Sequence, residues 1–326
     1  MQGSTSNRPG AAIGFVLAAM LGISVNDVMI KSLSGGYALH QIVFLRAIFG
    51  IGLSLLLVQI EGGLGLLRTR TPLLHALRGL LVVVSNMTYF AALAVLPLAD
   101  VTALFFVAPL FITLLSVPVL GERVGPLRLG AVTVGFAGVV IMQQPWAGSA
   151  TLGVSRWVML LPVLSALCYA FQQVLTRRLG ISTRASVMTV YIQVTFILVS
   201  LAFYAVAGDG RFAEGQESAS LVFLLRAWQM PEGSDWWILA ALGLNSTLVG
   251  YCLSQAYRLA NAATIAPFEY SALLLAVFWG WVFFATLPGL PVWAGMSLIA
   301  ASGLFVFARE RIKARAVAGT KRFWRR

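Results

Sequence analysis

Charge is what this sequence has least of. Among its 326 residues only 10% are Asp, Glu, Lys or Arg, while 59% are hydrophobic. A soluble globular chain carries about 25% charged and about 45–50% apolar residues. So few charges cannot cover a folded surface in water, which excludes a soluble enzyme and an intrinsically disordered chain. Acidic residues are the scarcest of the charged ones: 11 against 23 basic, for a net charge of +12. Cysteine is also nearly absent. Cys168 and Cys252 lie in apolar runs without CxxC spacing, so they frame neither a disulfide scaffold nor a zinc site and read as packing residues. No Walker motif, HExxH or nucleophile elbow occurs. ATP-driven pumping and these hydrolytic chemistries have no residues to work with. The expectation is a non-enzyme with no cofactor and no metal.

Long apolar runs are what the chain has in their place. A membrane-spanning helix needs about 20 apolar residues. Runs bounded by charge, Gly and Pro give ten spans, at roughly 11–33, 40–60, 72–95, 98–118, 126–143, 157–177, 185–207, 236–257, 263–285 and 291–308. The predicted fold class is therefore an all-α polytopic membrane protein. The first run, although Arg8 precedes it, continues to about Ile30 and reads as span one rather than a signal peptide. Positive charge orients such a bundle. The tail carries Arg309, Arg311, Lys313, Arg315, Lys321, Arg322, Arg325 and Arg326, which predicts cytoplasmic N- and C-termini in a bacterial inner membrane. Arg68, Arg70, Arg123, Arg128, Arg177, Arg178, Arg184 and Arg258 then fall inside, and the outer turns 96–98 and 286–290 contain no Lys or Arg. The basic balance thus reports topology, not nucleic acid. One long outer loop, 208–235, has an apolar centre from Leu221 to Trp228; it reads either as a short helix lying in the outer interface or as a poorly ordered loop.

The two halves resemble each other. Asn26-Asp27 through Lys31 aligns with Gln172-Gln173 through Arg177, Ala99-Asp100-Val101 with Ala263-Thr264-Ile265, and Gly130–Gly138 with Gly295–Gly303. Each half holds five spans, and five is odd, so the second copy lies upside down relative to the first. Five-plus-five inverted repeats around a central cavity are a transporter architecture. The predicted organisation is a cytoplasmic N-terminus (1–10), a first repeat (11–143), an outer linker (144–156), a second repeat (157–308) and a basic tail (309–326).

A charge at mid-bilayer costs about 2.5–3.5 kcal/mol on insertion scales and needs a partner. Four stand out: Asp27 and Arg46 toward the outer side, Arg78 and Glu269 toward the inner side. The expected ion pairs are Asp27–Arg46 and Arg78–Glu269. They serve either as static glue or as gates and substrate ligands, and a carboxylate freed from its partner would bind a cation or a proton. Lys31 and His40 are expected to snorkel to the surface, and His75 to be solvated. Neutral polar groups at Asn26, Asn86, Gln172, Gln173, Gln193, Asn245 and Gln255 either bond neighbouring helices or line the cavity. Tyr89, Phe90, Phe105, Phe106, Phe268, Tyr270 and Trp279 offer rings for stacking and cation–π contact. Pro109 and Pro267 should kink spans four and nine. Gly14, Ala18 and Gly22 form a small-residue face for close packing.

Several segments together resemble a known family. They are the run from Tyr89 to Asp100, Ala108-Pro109-Leu110, Leu120-Gly121-Glu122 and Gly135-Phe-Ala-Gly138, then Ala256-Tyr257-Arg258, Ala266-Pro267-Phe268-Glu269-Tyr270 and Ser302-Gly303-Leu304. In this order they are similar to the EamA-type branch of the drug/metabolite transporter superfamily, over about residues 11–310. The resemblance implies a carrier of small metabolites that works by alternating access without ATP. Where that pattern commonly has an acid before span ten, this chain has Thr286. Asn26-Asp27, Lys31, Arg46, Arg78-Gly79-Leu80-Leu81 and Phe268-Glu269-Tyr270 resemble a subgroup that includes S-adenosylmethionine uptake proteins; similar members serve riboflavin, carnitine-type compounds or amino acids. The resemblance implies uptake of S-adenosylmethionine or a similar organic cation. The alternatives are export of an amino acid or other metabolite and, from another class, a lipid flippase or membrane enzyme. The expected partners are a small-molecule substrate, membrane lipid and a coupling proton or counter-substrate, with the chain a monomer or homodimer. The candidate binding or gating residues are Asn26, Asp27, Arg46, Arg78, Tyr89, Phe105, Phe106, Gln172, Glu269, Tyr270 and Trp279.

Overall fold

The computed structural model describes residues 9–69, 71–120, 125–144, 146, 155–179, 184–259 and 268–323. Among these residues every regular element is helical: α1 (Pro9–Leu33), α2 (Leu39–Glu61), a 3-10 turn (Leu64–Leu67), α3 (Pro72–Leu93), α4 (Leu98–Phe105), α5 (Ala108–Leu120), α6 (Pro126–Gln143), α7 (Arg156–Leu179), α8 (Ala185–Ala207), α9 (Ala219–Leu225), α10 (Asp235–Leu259), α11 (Ser271–Phe284) and α12 (Leu290–Phe323). Seven helical stretches are long and apolar enough to cross a membrane, and Leu129–Gln143, Ser271–Phe284 and Leu290–Val306 are shorter apolar helices. The chain is an all-helical polytopic membrane protein. Its outward faces carry Leu56, Ile60, Leu73, Trp157, Leu198, Val206, Leu274 and Phe283, an apolar surface that suits hydrocarbon, while backbone groups are satisfied within helices.

Helix packing carries the repeat. α1 packs on α10 and α3 on α7; α2 pairs with α8, α6 with α12; α11 lies against α1, as α4 and α5 lie against α7. Counting α4 and α5 as one span and setting α9 aside, exchanging each span for the one five places along returns the same set of contacts. Such a set implies a two-fold relation between the halves. The α6–α12 pair is closest at Gly138 and Gly295, where a Cβ on either would lie within 2.7 Å of the other's carbonyl oxygen. Only glycine at both positions allows that approach. The small face expected on α1 is narrower than the spacing suggested. Gly22 meets Val249 and Asn245 of α10, whereas a Cβ on Gly14 would touch nothing and Ala18 is exposed.

Span four is broken, as Pro109 predicts. α4 ends at Phe105 and α5 begins at Ala108. Pro109 has no N–H to return to the Phe105 carbonyl and its ring crowds that carbonyl. Phe105 and Phe106 sit at this break. The Gly121-Glu122 pair, the 263–265 triplet, Arg70 and the Pro267 kink lie outside the described residues. At the other end of α11, Ala285 takes a left-handed conformation (φ 51°) and Thr286 returns both its N–H and its hydroxyl to the Gly280 carbonyl, at 3.0 and 3.1 Å. The residue found in place of an acid thus closes a helix.

The 208–235 segment holds the short helix expected there on one of its two readings. That helix is α9, and it is seated on α2 and α3. Phe223 is 1% exposed, and Ser220 donates to the Ala91 carbonyl at 2.7 Å. Gln41 and Gln229 exchange two hydrogen bonds, and Arg226 donates to the Gly35 carbonyl. His40 is fully buried; its Nδ1 meets the Leu224 carbonyl at 2.9 Å and its ring lies beside Phe203 and Trp228. The segment is a strap over one end of the bundle, and His40 does not snorkel. The two ends are called here the strap end and the tail end, α1 running from tail to strap.

Candidate functional site

Asp27 sits one and a half turns before the strap-end terminus of α1. Its carboxylate accepts a hydrogen bond from the Tyr89 hydroxyl at 2.9 Å, and Tyr89 in turn meets the Thr102 hydroxyl at 3.1 Å. Asn26 also bonds Asp27. One residue pair therefore ties α1 to α3, and Thr102 extends the tie to α4. Arg46 on α2 lies close enough for its charge to act on Asp27, but the expected direct ion pair is not formed. Its guanidinium instead donates to Asn86 Oδ1 at 3.5 Å and lies over the rings of Phe196 (4.9 Å) and Phe90 (5.9 Å). The rings supply a favourable quadrupole to a desolvated cation. Both charged groups are about 5% exposed. Within the cluster, Asn26 Oδ1 and Arg46 Nε are buried without a hydrogen-bond partner, which leaves an acceptor and a donor for a ligand.

From Tyr89 a file of rings crosses the middle of the bundle. Tyr89 meets Phe105 edge-on at 5.4 Å, Phe105 meets Phe106 at 6.5 Å, and Phe106 meets Tyr270 at 5.1 Å. Tyr169 of α7 joins at Phe105, 5.3 Å away. Phe90 extends the file at the Arg46 end, 5.3 Å from Tyr89. The far end rests on α12: a Cβ on Gly303 would stand 1.7 Å from the Tyr270 hydroxyl, so glycine there makes room for the phenol. Glu269 lies close enough to Tyr169 and Tyr270 for its charge to act on both hydroxyls. Eight of the eleven residues singled out from sequence thus fall into one connected system, with Asn26, Asp27, Arg46, Tyr89 and Phe105 at one end and Phe106, Glu269 and Tyr270 at the other.

For three of the singled-out residues the described surroundings lie elsewhere. Trp279 donates from its indole to Ser24 at 3.0 Å and so ties α11 to α1. Gln172 is buried on α7. Arg78 lies toward the tail end beside His75. His75 is 3% exposed and stacked on Tyr191 at 4.8 Å, not solvated as expected. Of the neutral polar side chains, Asn245 donates to the Gly22 carbonyl across α10 and α1 at 2.8 Å, and Gln193 reaches Thr247 across α8 and α10 at 3.5 Å. Gln173 and Gln255 instead bond Tyr169 and Tyr251 of their own helices. Sequence reasoning missed Thr102, Tyr169 and Phe196. Tyr169 is four residues before Gln173, a spacing that places both on one helix face, and that signal was available.

A buried file of rings thus joins the Asp27–Arg46 neighbourhood to Glu269 and Tyr270. Comparison with known proteins gives the family. Residues 10–143 match the EamA-like transporter family. A riboflavin transporter of Rhizobium johnstonii is 32% identical over 256 residues, covering 78% of this chain and 77% of that one. An S-adenosylmethionine uptake transporter of Rickettsia felis is 25% identical over 299 residues, 92% of this chain and 93% of its own. One solved crystal structure superposes with a TM-score of 0.61 at 20% identity, covering 92% of this chain and 98% of that one, and shares the fold. The chain belongs to the EamA-like transporter family of the drug/metabolite transporter superfamily.

Proposed function

We propose that this protein carries a planar, ring-bearing metabolite with polar substituents across the bacterial inner membrane, by alternating access of its two inverted halves, with the strap end outside. The file Phe90–Tyr89–Phe105–Phe106–Tyr270 carries this reading. Stacked and edge-on rings receive a flat heterocycle well. Asn26 Oδ1 and Arg46 Nε supply the acceptor and donor that fix its orientation.

Charge balance selects among the ring-bearing solutes. Asp27 and Arg46 offset each other at the end of the file where the unpartnered Asn26 and Arg46 atoms lie, so that end has no net charge to offer. An uncharged heterocycle of the riboflavin type enters such a site without stranding an ion in low dielectric. That moves the leading substrate away from the organic cation expected from the sequence. S-adenosylmethionine stands as the second reading, favoured by a relative aligned over 92% of the chain; its adenine suits the same rings, and Asp27 or Glu269 would meet its sulfonium.

The test is uptake of labelled riboflavin and, separately, labelled S-adenosylmethionine into proteoliposomes, with empty liposomes as control. Saturable riboflavin uptake, reduced tenfold or more in Tyr89→Ala by loss of a ring worth about 1.4 kcal/mol or more, is the expected result. Saturable uptake of S-adenosylmethionine alone overturns the charge argument, and uptake of neither by folded protein overturns the substrate class.

A further inference from the structure

Lys31 is the one cation of α1 within the span, and it is only partly exposed. Its ammonium donates to the Leu93 carbonyl at 2.6 Å and to the Leu96 carbonyl at 2.7 Å, and it lies 5.4 Å from the centre of the Phe284 ring. Leu93 is the last residue of α3, and Leu96 lies in the turn before α4. These are carbonyls at a helix C-terminus, where the helix dipole leaves partial negative charge. Asp100, in the first turn of α4, is near enough for its charge to act on Lys31, and its Oδ1 is buried with no hydrogen-bond partner. Two carbonyls, a carboxylate and an aromatic face are the surroundings of a cation site. Helix C-terminal carbonyls hold the coupling cation in other carriers of inverted-repeat architecture.

We propose that this corner is a cation site filled by the chain's own lysine, and that the ammonium must leave it whenever the strap end opens. Asp27 and Lys31 are four residues apart and share one face of α1. Asp27 holds Tyr89 and through it Thr102; Lys31 holds the carbonyls just beyond, one turn nearer the strap end. The same face of α1 is thus fastened to the α3–α4 corner at two depths, one at the ligand site and one at the mouth. A solute that draws Asp27 from Tyr89 loosens the first tie and leaves the second as the remaining hold. Asp100, with an oxygen uncommitted, receives the ammonium as it leaves the carbonyls, so the charge is never stranded. The second half does not repeat the device: Arg177 aligns with Lys31, but Thr264 takes the place of Asp100. The latch rests on the carrier reading, but not on any particular solute.

The experiment therefore needs no substrate. Both native cysteines are replaced by serine, and Ala99, 3% exposed beside Asp100, is changed to Cys. A membrane-impermeant maleimide is added at the strap face of oriented vesicles. Labelling is expected to be slow with Lys31 present and to rise by roughly tenfold or more in Lys31→Ala, the worth of two charge-assisted bonds. Ethylammonium should restore slow labelling by occupying the vacated corner. Tetramethylammonium, with no N–H to donate, should not. Lys31→Arg should label slowly, and Asp100→Asn with Lys31 intact should label a few-fold faster. Unchanged labelling in Lys31→Ala overturns the latch. Fast labelling that ignores ethylammonium overturns the cation site and points to damaged packing. If Lys31→Ala does not fold, Asp100→Asn decides: labelling at the parental rate overturns the proposal. A failure of riboflavin uptake leaves all of these readings in place.

Discussion

The strap end and the tail end are built from equivalent parts and are not equally fastened. At the tail end a short connection joins α2 to α3 and leans on α8: Tyr191 donates to the Leu67 carbonyl, and Ser186 donates to Glu61 at 2.7 Å. At the strap end the symmetry-related connection joins α8 to α10 and leans on α2 and α3. It is far longer. It adds a buried phenylalanine, the Ser220, Gln41, Gln229, Arg226 and His40 bonds, and a Tyr37–Asp235 hydrogen bond of 2.6 Å. Trp228 packs on Tyr204 and Phe44 in the same layer. Two inverted halves alone make inward-open and outward-open states close in energy. In the alternating-access cycle proposed above, the heavier fastening of the strap end breaks that degeneracy and favours the state in which the strap end is shut. Because each net hydrogen bond is worth about 0.5–1.5 kcal/mol, a handful of them is enough to set the resting population.

The largest effect on this comparison should come from Phe223→Ala. Truncating a buried phenylalanine costs about 3–5 kcal/mol, and Phe223 is the largest fully buried side chain of the strap. Hydrogen exchange at the amides of Ala219–Leu225 should quicken by about a hundredfold or more, while amides of the tail-end turn keep their protection. Equal loss of protection at both ends would mean that the strap holds the whole fold and not one mouth.

A smaller effect is expected in the opposite sense. Tyr191→Phe removes one bond at the tail end, worth about 0.5–1.5 kcal/mol. A cysteine placed near the tail-end turn should then react roughly three to ten times faster with an impermeant reagent, and one under the strap should react more slowly. Equal changes at the two ends would sever the link between them.

The smallest effect is a pH step. Tyr37 lies in the turn between α1 and α2, and its hydrogen bond to the Asp235 carboxylate holds its phenol above the ordinary value near 10. An acid whose ionisation is raised on folding stabilises the fold below its unfolded value and loses that contribution as pH rises through the folded one. Strap attachment should therefore be level up to about pH 10 and weaken above it, as read by the fluorescence of Trp236 and Trp237. Tyr37→Phe should abolish the step. A step that survives this change belongs to another group.

Much of the fold is legible in the chain because hydrocarbon is an undemanding solvent to read. Most of the apolar runs fell within a few residues of the helices, although α12 continues to Phe323, well past the span expected to end at 308, and Pro109 marked the break that carries Phe105 and Phe106. Half of the site was legible too. Asp27, Arg46, Tyr89 and Tyr270 stand out as polar groups where polarity is costly. The partners did not follow. Depth along a span predicted that Asp27 would meet Arg46. Rotation about the helix axes gave Asp27 to Tyr89 and set Arg46 on Phe196, and no spacing rule contains that rotation. His40 and His75 misled for one shared reason. A polar residue near a span end looks solvated until the strap or the neighbouring helix that covers it is in place.

The sequence by itself determined the class of molecule, the helices, their alternating directions and the odd count that inverts the second half, since each follows from composition and local periodicity. Only the tertiary structure decided that the 208–235 segment is a strap on α2 and α3, that the ring file is continuous from Phe90 to Tyr270, and that the Lys31 ammonium rests on the end of α3. Those contacts join residues tens to nearly two hundred positions apart. Their energy comes from surfaces that meet only after the helices have packed.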